Sequence, residues 1–506
     1  MRFLGIDCGT QSLKLLAWDP EKRKSWSTSE EYGLIQGLRP GHKEQDPQVW
    51  IQALETCFAK FRREGFDFTR IEGVGVSGQQ HGLVVLDDSD RVIRPAKLWN
   101  DTSTQPQCAA VVERAGGPQA YQREIGNLLP PGFTASKLLW LKENEPNNYR
   151  QVRTFFLPHD YLNFYLTGEK TAEPGDASGT GYFQVAERQW SLRALKWIDP
   201  ERDLSQGLPR LIASAEPAGE VRSQLQKKWG FSKGVTVSSG GGDNMMGAIG
   251  TGNVEPGVLT VSLGTSGTIY AYSESPVIDP AGEIAAFCDS TGGWLPLGCT
   301  MNVTVATEMV RKQLLQVDHP RSERLAASVP AGSDGLLLLP YLEGERMPNV
   351  PAGTGVLLGL RPSSCTPGHL ARAAMEGVTF GLRFGRKRLE TLGVSSDEIR
   401  LTGGGARSPL WRQIVADIFG LPAVCPADLE GPAFGAALQA FWRRSGEEMR
   451  QVSRNHLKLD ESTRCRPDKV RADLYDRLFE VYQRLSVQLI QSDVFPAHRS
   501  FIQGRT

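Results

Sequence analysis

Residues 2–19 read "RFLGIDCGTQSLKLLAWD". The apolar run of residues 2–7 has the composition of a buried strand, "CGTQS" makes a tight turn that carries hydroxyls, and "LKLLAWD" reads as the returning strand, so the chain opens with a hairpin. Close to half the chain further on, residues 257–274 read "GVLTVSLGTSGTIYAYSE", again strand, small-and-hydroxyl turn, strand. Gly264-Thr265-Ser266 stand there as Gly9-Thr10-Gln11 stand in the first copy. Similarity at that spacing predicts two halves of like topology, each beginning with a hairpin. Length agrees, since 506 residues exceed the roughly 250–300 at which a single core stops growing.

Beyond the first hairpin, Asp46 is placed to cap a helix and Pro47 to begin it. Val49, Ile51, Leu54, Cys57, Phe58 and Phe61 recur at three- and four-residue spacing, which predicts a helix from Pro47 to Arg63. "IEGVGVSG", residues 71–78, is a further apolar strand ending in small residues, and "GLVVLDDSDRVIRPAKLW" reads as strand, Asp-rich turn, strand. Residues 180–235 are the least periodic and read as loop-rich. In the second half "PGHLARAAMEGVTFGLRFGRKRLETLG" is helix-like, and "IRLTGGGARSPLWRQIVADIFG" passes from strand through three glycines to helix. "EGPAFGAALQAFW", from Glu430, is a Gly- and Ala-rich helix suited to close packing. A tail helix over 470–490 presents Leu474, Leu478, Val481, Leu485 and Leu489 as one stripe, expected to be its packing face.

Charge is balanced, 57 Lys plus Arg against 57 Asp plus Glu, so no long-range field draws the protein to nucleic acid or to an anionic membrane. The one dense basic stretch, Arg383 with Arg386-Lys387-Arg388, lies in a helix-like segment and reads as a solvated face. The eight cysteines contain no C-x-x-C pair, which argues against a zinc site or a redox dithiol. No charged-then-apolar leader opens the sequence, and no apolar run approaches the ~18 residues of a membrane span. A cytoplasmic address with reduced thiols is the expectation.

Glycine turns between a strand and a helix let backbone N–H groups approach an anion or a flat ring, with the partial charge of a helix N-terminus behind them. Close packing of backbone is the competing reason for such glycines. Four small-residue turns, Gly9-Thr10, Gly240 to Gly242, Gly264 to Gly267 and Gly403 to Gly405, two of them in matching hairpins, favour a phosphate-bearing ligand lying between the halves. No Gly-Lys dipeptide occurs, so the G-x-x-x-x-G-K-[ST] loop is absent. Met245 and Ser408 occupy the third glycine position of a dinucleotide fingerprint, which weakens that reading.

What remains is a hairpin whose turn can bond phosphate, an acid at the end of its first strand, and the repeat. These residues resemble the actin, Hsp70 and sugar-kinase superfamily, and within it the FGGY carbohydrate kinases. The likeness runs over nearly the whole chain: "GIDCGTQSLK" at 5–14, "SGQQHG" at 77–82, "LWND" at 98–101, "GGGDN" at 240–244, "SLGTSG" at 262–267, "PYLEGER" at 340–346 and "GGGARSPLWRQ" at 403–413. With "GNLLPPGFTASKLLWL" at 126–141, the set is most similar to the members that act on xylulose. Gln80 stands where many such kinases carry Met, and Thr102-Ser103 follows "LWND" where Gly-Arg is frequent.

The resemblance implies an α/β protein of two ribonuclease H-like domains with a cleft between them. Residues 1–247 would form the sugar-binding domain, 248–445 the nucleotide-binding domain, and 446–506 a helical extension packed on the second. It implies transfer of the γ-phosphate of ATP, with Mg²⁺, to a pentulose, D-xylulose giving D-xylulose 5-phosphate first. Another ketose or a polyol such as ribulose or glycerol is the alternative acceptor, and a non-catalytic actin-like ATPase the alternative class. Asp243, just beyond a glycine loop and at a helix start, is implied as general base; a plain helix cap is what its position alone would also suggest. Gln80, His81, Gly82, Asn100, Asp101 and Asn244 are implied on the sugar side, and Asp7 as the metal ligand. Gly9, Thr10, Ser12, Gly264, Thr265 and Ser266 would meet phosphate, and Gly404, Gly405 and Ala406 would lie flat against adenosine. Trp99, Trp140 and Trp411 are expected in the core and Glu345 with Arg346 as a structural ion pair. The expected partners are the sugar and ATP; a homodimer is carried as the assembly.

Overall fold

The computed structural model describes residues 1–427 and 431–504. In chain order the elements that matter here are β1 (Arg2–Cys8), β2 (Ser12–Asp19), β3 (Lys24–Glu31), α1 (Pro47–Arg63), β4 (Ile71–Gly78), α2 (Thr134–Asn144), α3 (Pro158–Thr167), β5 (Pro217–Glu220), β6 (Thr236–Ser238), β7 (Gly241–Gly242) and α4 (Asp243–Thr251). They continue with β8 (Gly257–Leu263), β9 (Gly267–Ala271), β10 (Leu297–Thr300), α5 (Pro367–Thr391), β11 (Ser396–Thr402), α6 (Pro409–Phe419), β12 (Ala423–Pro426), α7 (Gly431–Ser445), β13 (Leu459–Cys465) and α8 (Lys469–Gln491).

Two compact units share these elements. Met1–Glu255, Tyr272–Pro296 and Glu430–Leu457 make the first; Pro256–Ala271, Leu297–Leu429 and Lys458–Thr506 make the second. The first unit holds a seven-stranded sheet in the order β5-β6-β4-β1-β2-β3, with β7 also on β4. β1 runs antiparallel to β2 and parallel to β4, and β2 antiparallel to β3. In the second unit β10-β9-β8-β11-β12 repeats the order β3-β2-β1-β4-β6 with the same strand directions, and β13 then joins β12 antiparallel. The repeat seen in the two hairpin sequences is therefore a repeat of topology, and a helix (α1, α5) precedes the fourth strand in each copy.

α1 forms where its sequence places it. The Asp46 side chain accepts the Gln48 N–H at 2.9 Å, and Pro47 fills the first turn. Its buried face holds Ile51, Leu54, Cys57, Phe58 and Phe61 as the spacing requires, plus Trp50, which the spacing had not included and which is fully buried; Val49 is half-buried. That face packs on Leu13, Leu15, Val74 and Val76 of the sheet. Each such side chain contributes about 1.5–3 kcal/mol of burial.

The sheet's other face takes α7, although some 350 residues of chain separate it from β4. A Cβ on Gly5 would overlap the Ala433 carbonyl, one on Gly75 the Ala436 carbonyl, and one on Gly435 the Met246 carbonyl of α4. The small residues that suggested close packing thus let helix backbone lie on strand and helix backbone. The consequence is that the compact units cross the ranges read from the sequence: Gly431–Ser445, placed there with the second domain, belongs to the first unit. Glu430, where that helix was expected to begin, lies outside the described residues, as do residues 505 and 506 of the expected extension.

In the second unit three expectations change. α8 buries Tyr475, Phe479, Tyr482 and Ser486 rather than the leucine stripe, whose members are half-buried, with Val481 exposed. The aromatic row one residue over carries more area to bury and wins the face. Of the basic stretch Lys387 is exposed, but Arg383 lies over the Phe479 ring at 4.4 Å and pairs with Asp476, and Arg386 donates to the Phe419 carbonyl and pairs with Glu390. These arginines bury their stems against packed helices while their guanidinium groups stay partnered. Glu345 accepts from the backbone N–H groups of Met301 (2.6 Å) and Arg346 (2.8 Å) and from Asn302 (3.1 Å), while Arg346 is exposed. It anchors a turn through backbone donors in place of an ion pair. Among the described residues no helix is long and apolar enough to cross a membrane, and the eight cysteines are free thiols.

Candidate active site

Parallel strands bring two of the sequence motifs together. β7 pairs with the end of β4, Gly241 opposite Ser77 and Gly242 opposite Gly78, so "SGQQHG" and "GGGDN" leave the same sheet edge side by side. All three glycines of the second motif are in tight quarters. Gly240 has φ +73° over the Val76 carbonyl, a Cβ on Gly241 would strike the Ser290 hydroxyl, and one on Gly242 would strike the Gln80 side chain. Their purpose in the fold is approach of backbone to neighbours.

Asp243 is the first residue of α4, and Gly242 takes the cap position, so the carboxylate is not spent as a helix cap. Its Oδ1 accepts from the Asn244 N–H at 2.8 Å and from Asn244 Nδ2 at 3.2 Å; the same Nδ2 donates to Gln80 Oε1 at 2.9 Å. Gln80 Nε2 points at the Met245 sulfur, 3.4 Å away. Burial first, and then the charges of Asp7 and Asp176, push the Asp243 carboxyl up to about 7, although the residue keeps part of its surface open. Asp7, opposite Ser77 in the β1–β4 register, accepts the Ser77 hydroxyl at 2.9 Å.

His81 has φ +64°, and its turn is closed by Gly82 N–H to the Gln80 carbonyl at 2.9 Å. The ring lies 4.6 Å from Phe133 and 6.1 Å from Phe287, centroid to centroid. A Cβ on Gly179 would overlap the imidazole. Gly82 itself is buried against Pro158.

Asn100 and Asp101 part company. Asn100 Oδ1 is buried with no hydrogen-bond partner, an acceptor left open. Asp101 is fully buried, and its oxygens take Lys97 Nζ (3.1 Å), Lys43 N (2.8 Å), and the N–H and hydroxyl of Ser103 (3.0 and 2.5 Å). Against the penalty of burial, these donors hold its carboxyl below the usual range. Its lone pairs are committed within the protein. His42, Glu44 and Asp101 are close enough to hold a cation, but the Lys97 ammonium already serves them, 3.3, 3.0 and 3.1 Å away.

At the β1–β2 turn, Gly9 N–H closes on the Ser12 carbonyl at 3.0 Å. The Thr10 hydroxyl, expected to meet phosphate, donates to Gln79 Oε1 and accepts from Trp99 Nε1, each at 3.0 Å. Its proton is already in use, which leaves Ser12, half-buried, as the hydroxyl of this turn. Trp99 is accordingly half-buried rather than core, as is Trp140 beside Lys97; Trp411 is buried.

Several residues of this unit carried no sequence signal. His159 bonds Asp176 through Nδ1 at 2.6 Å, both fully buried. Glu173, also buried, caps the short helix that carries Asp176, and burial pushes its carboxyl up to about 7. Gln439 of α7 gives both ends of its amide to the loop before Asp243: Oε1 accepts from Gly240 N–H (2.9 Å) and the Ser238 hydroxyl (2.8 Å), and Nε2 donates to the Gly240 carbonyl (3.1 Å).

The second unit supplies the other candidates. Gly264, Thr265 and Ser266 form the β8–β9 turn, with Thr265 exposed and the Gly264 carbonyl accepting the Thr304 N–H at 3.0 Å. Of the triple glycine, Gly403 (φ +83°) sits on the Leu263 carbonyl, and a Cβ on Gly405 would press on Leu263 and Trp411. Gly404 alone of the three faces open space, and Ala406 is buried. A flat ligand therefore has Gly404 to rest on, while Gly405 and Ala406 are packed beneath.

The N-terminal domain model of the FGGY family of carbohydrate kinases matches residues 2–250 and the C-terminal domain model residues 259–443. A xylulose kinase of Haemophilus influenzae is 39% identical over 485 residues, 95% of this chain and 98% of its own. The crystal structure of a xyloylose kinase from Brucella ovis matches with a TM-score of 0.90 at 31% identity, covering 97% of this chain and 99% of that one. A gluconate kinase from Lactobacillus acidophilus matches with a TM-score of 0.89 at 25% identity, covering 97% and 98%. The repeated α/β halves are those of the sugar-kinase branch of the actin and Hsp70 fold. The chain belongs to the FGGY family of carbohydrate kinases, enzymes that transfer phosphate to an alcohol group.

Proposed function

We propose that the protein phosphorylates a pentulose with ATP, D-xylulose at O5 first, giving D-xylulose 5-phosphate and ADP. The observation that carries this reading is the corner of Asp243, Asn244 and Gln80: a carboxyl poised near neutrality beside two amides, which can bond a polyol and take its proton. Asp243 accepts the proton of the attacking hydroxyl, the new O–P bond forms at the γ-phosphorus, and the bond to the β,γ-bridging oxygen breaks to release ADP. His81, Asn100 and Asn244 hold the sugar. Its open Oδ1 gives Asn100 an acceptor for a hydroxyl. Asp101 supports the same loop from below.

The turns at Gly9 to Ser12 and at Gly264 to Ser266 supply backbone N–H groups and hydroxyls for phosphate oxygens, and Gly404 the surface for the base. Hard oxygen donors suit Mg²⁺, and the Asp7 carboxylate, steadied by Ser77, is the group that fits it. When bound, Mg²⁺ neutralises charge on the transferring phosphate. The cytoplasm, where ATP is supplied, is the working compartment this reading proposes.

Release of ADP, measured with and without a panel of D-xylulose, D-ribulose, gluconate and glycerol, tests the reading. D-Xylulose is expected to give the highest kcat/KM. A preference for gluconate or glycerol would replace the acceptor, and ADP release that no sugar stimulates would replace the class with an actin-like ATPase.

A further inference from the structure

We propose that Lys137 and Thr134 are positioning residues for sugar recognition, which together hold the His81 peptide in its left-handed conformation and so fix the imidazole toward the acceptor. The inference rests on the reading of His81 as a sugar contact. A residue with a Cβ adopts φ near +64° only where its surroundings enforce it, and such backbone collects at functional positions. Two contacts on its carbonyl enforce it here. The His81 carbonyl accepts two hydrogen bonds, from Lys137 Nζ at 2.6 Å and from the Thr134 hydroxyl at 3.1 Å. Thr134 and Lys137 lie one turn apart on α2, so both donors come from one helix face.

Lys137 does a second thing with the same ammonium. It donates to the Gly132 carbonyl at 2.7 Å, in the loop whose next residue, Phe133, forms the nearer aromatic wall of the His81 ring. One charge thereby ties the His81 turn to the wall against which its ring lies. With Gly179 leaving no space on another side, a rotation of the His81 peptide would drive the ring out of its slot. The arrangement is costly. Lys137 has no exposed surface, and burial drags its ammonium down to about 7, with Asp101 acting in the opposite sense and Lys97 in the same sense. An apolar side chain of the same length would fill the volume without that penalty, so packing alone does not account for a lysine here.

The test is steady-state kinetics of the full chain with D-xylulose and ATP for wild type, Lys137→Met, Thr134→Val, Thr134→Ser, His81→Ala and the double variant Lys137→Met/His81→Ala. Thr134→Val, which keeps shape and loses one hydrogen bond, is expected to raise the sugar KM about 3- to 10-fold. The ATP KM should stay within about twofold, and Thr134→Ser should restore the wild-type value. Lys137→Met should raise the sugar KM further, and in the His81→Ala background it should add nothing, since the two act through one contact. Thr134→Val decides alone if Lys137→Met does not fold. A change in thermal stability without a change in sugar KM, equal rises in both KM values, or additive effects in the double variant would overturn the inference. If His81→Ala leaves the sugar KM unaltered, the sugar-contact reading falls and takes the inference with it; if His81→Ala raises it while Thr134→Val and Lys137→Met do not, only the inference falls.

Discussion

Asp243 is where stability and chemistry pull in opposite directions, because the burial that raises its carboxyl to about 7 penalises the ionised form the proton transfer needs. Two outcomes follow with opposite signs. Asp243→Asn should lower kcat at least ~100-fold, the lower bound for a general base, while ATP still binds; near-normal turnover would remove Asp243 from the mechanism. In the wild type, kcat should fall as pH drops through about 7, and a limb lying below pH 5 would contradict the assignment. The stability sign is the reverse. A folded-state value above the unfolded one means the native chain binds the extra proton, so stability is lost as pH rises toward 7 and the loss is complete above it. Asp243→Asn should therefore melt higher than wild type at pH 8, with the gap narrowing as pH falls and closing only near the ordinary carboxylate value of about 4, read by calorimetry. Asp243 was visible in the sequence because it follows a glycine run; Asp176, Glu173 and Lys137 were not, because their neighbours lie far off in the chain and burial alone makes them unusual. Thr10 shows the limit from the other side: the hydroxyl could be seen, but its commitment to Gln79 and Trp99 could not.

Glycine runs at strand–helix junctions look alike in sequence and differ in structure by what stands over each Cα. At Gly403 to Gly405 two positions are packed and one is open. Gly404→Val should leave the melting temperature within a few degrees and raise the ATP KM several-fold, since it adds bulk only to the open surface. Gly405→Val should destabilise the fold by about 1–3 kcal/mol through overpacking against Leu263 and Trp411. Equal ATP KM values for wild type and Gly404→Val would remove this surface from nucleotide binding. Helix limits were legible where local rules decide them, as at Asp46-Pro47. The buried side of α8 was not, because leucines and aromatics both recur at helical spacing one residue apart, and which row faces inward depends on the neighbour's shape. Gln439 teaches the same lesson: a glutamine in an Ala-rich helix carries no mark of the five hydrogen bonds it makes on and around the Asp243 loop.

Across the whole chain, the repeat of hairpin and strand order could be read from residues because it is written twice. The assignment of α7 could not, since its partners lie in β1, β4 and α4, the nearest of them about 180 positions upstream, and nothing local names them. Gly435→Val, which sets a branched side chain on the Met246 carbonyl, should cost at least about 1–3 kcal/mol; a wild-type denaturation midpoint would show that the contact can relax. The late position of α7 also governs how the polypeptide can mature. During synthesis the ribosome delivers β1 and β4 before α7, at about 5–20 residues per second, and the apolar floor that α7 will cover stays bare until some 350 further residues have been made. The early strands are thus obliged to wait for tens of seconds at that rate, and the layer is finished only when a helix some 350 residues behind them arrives.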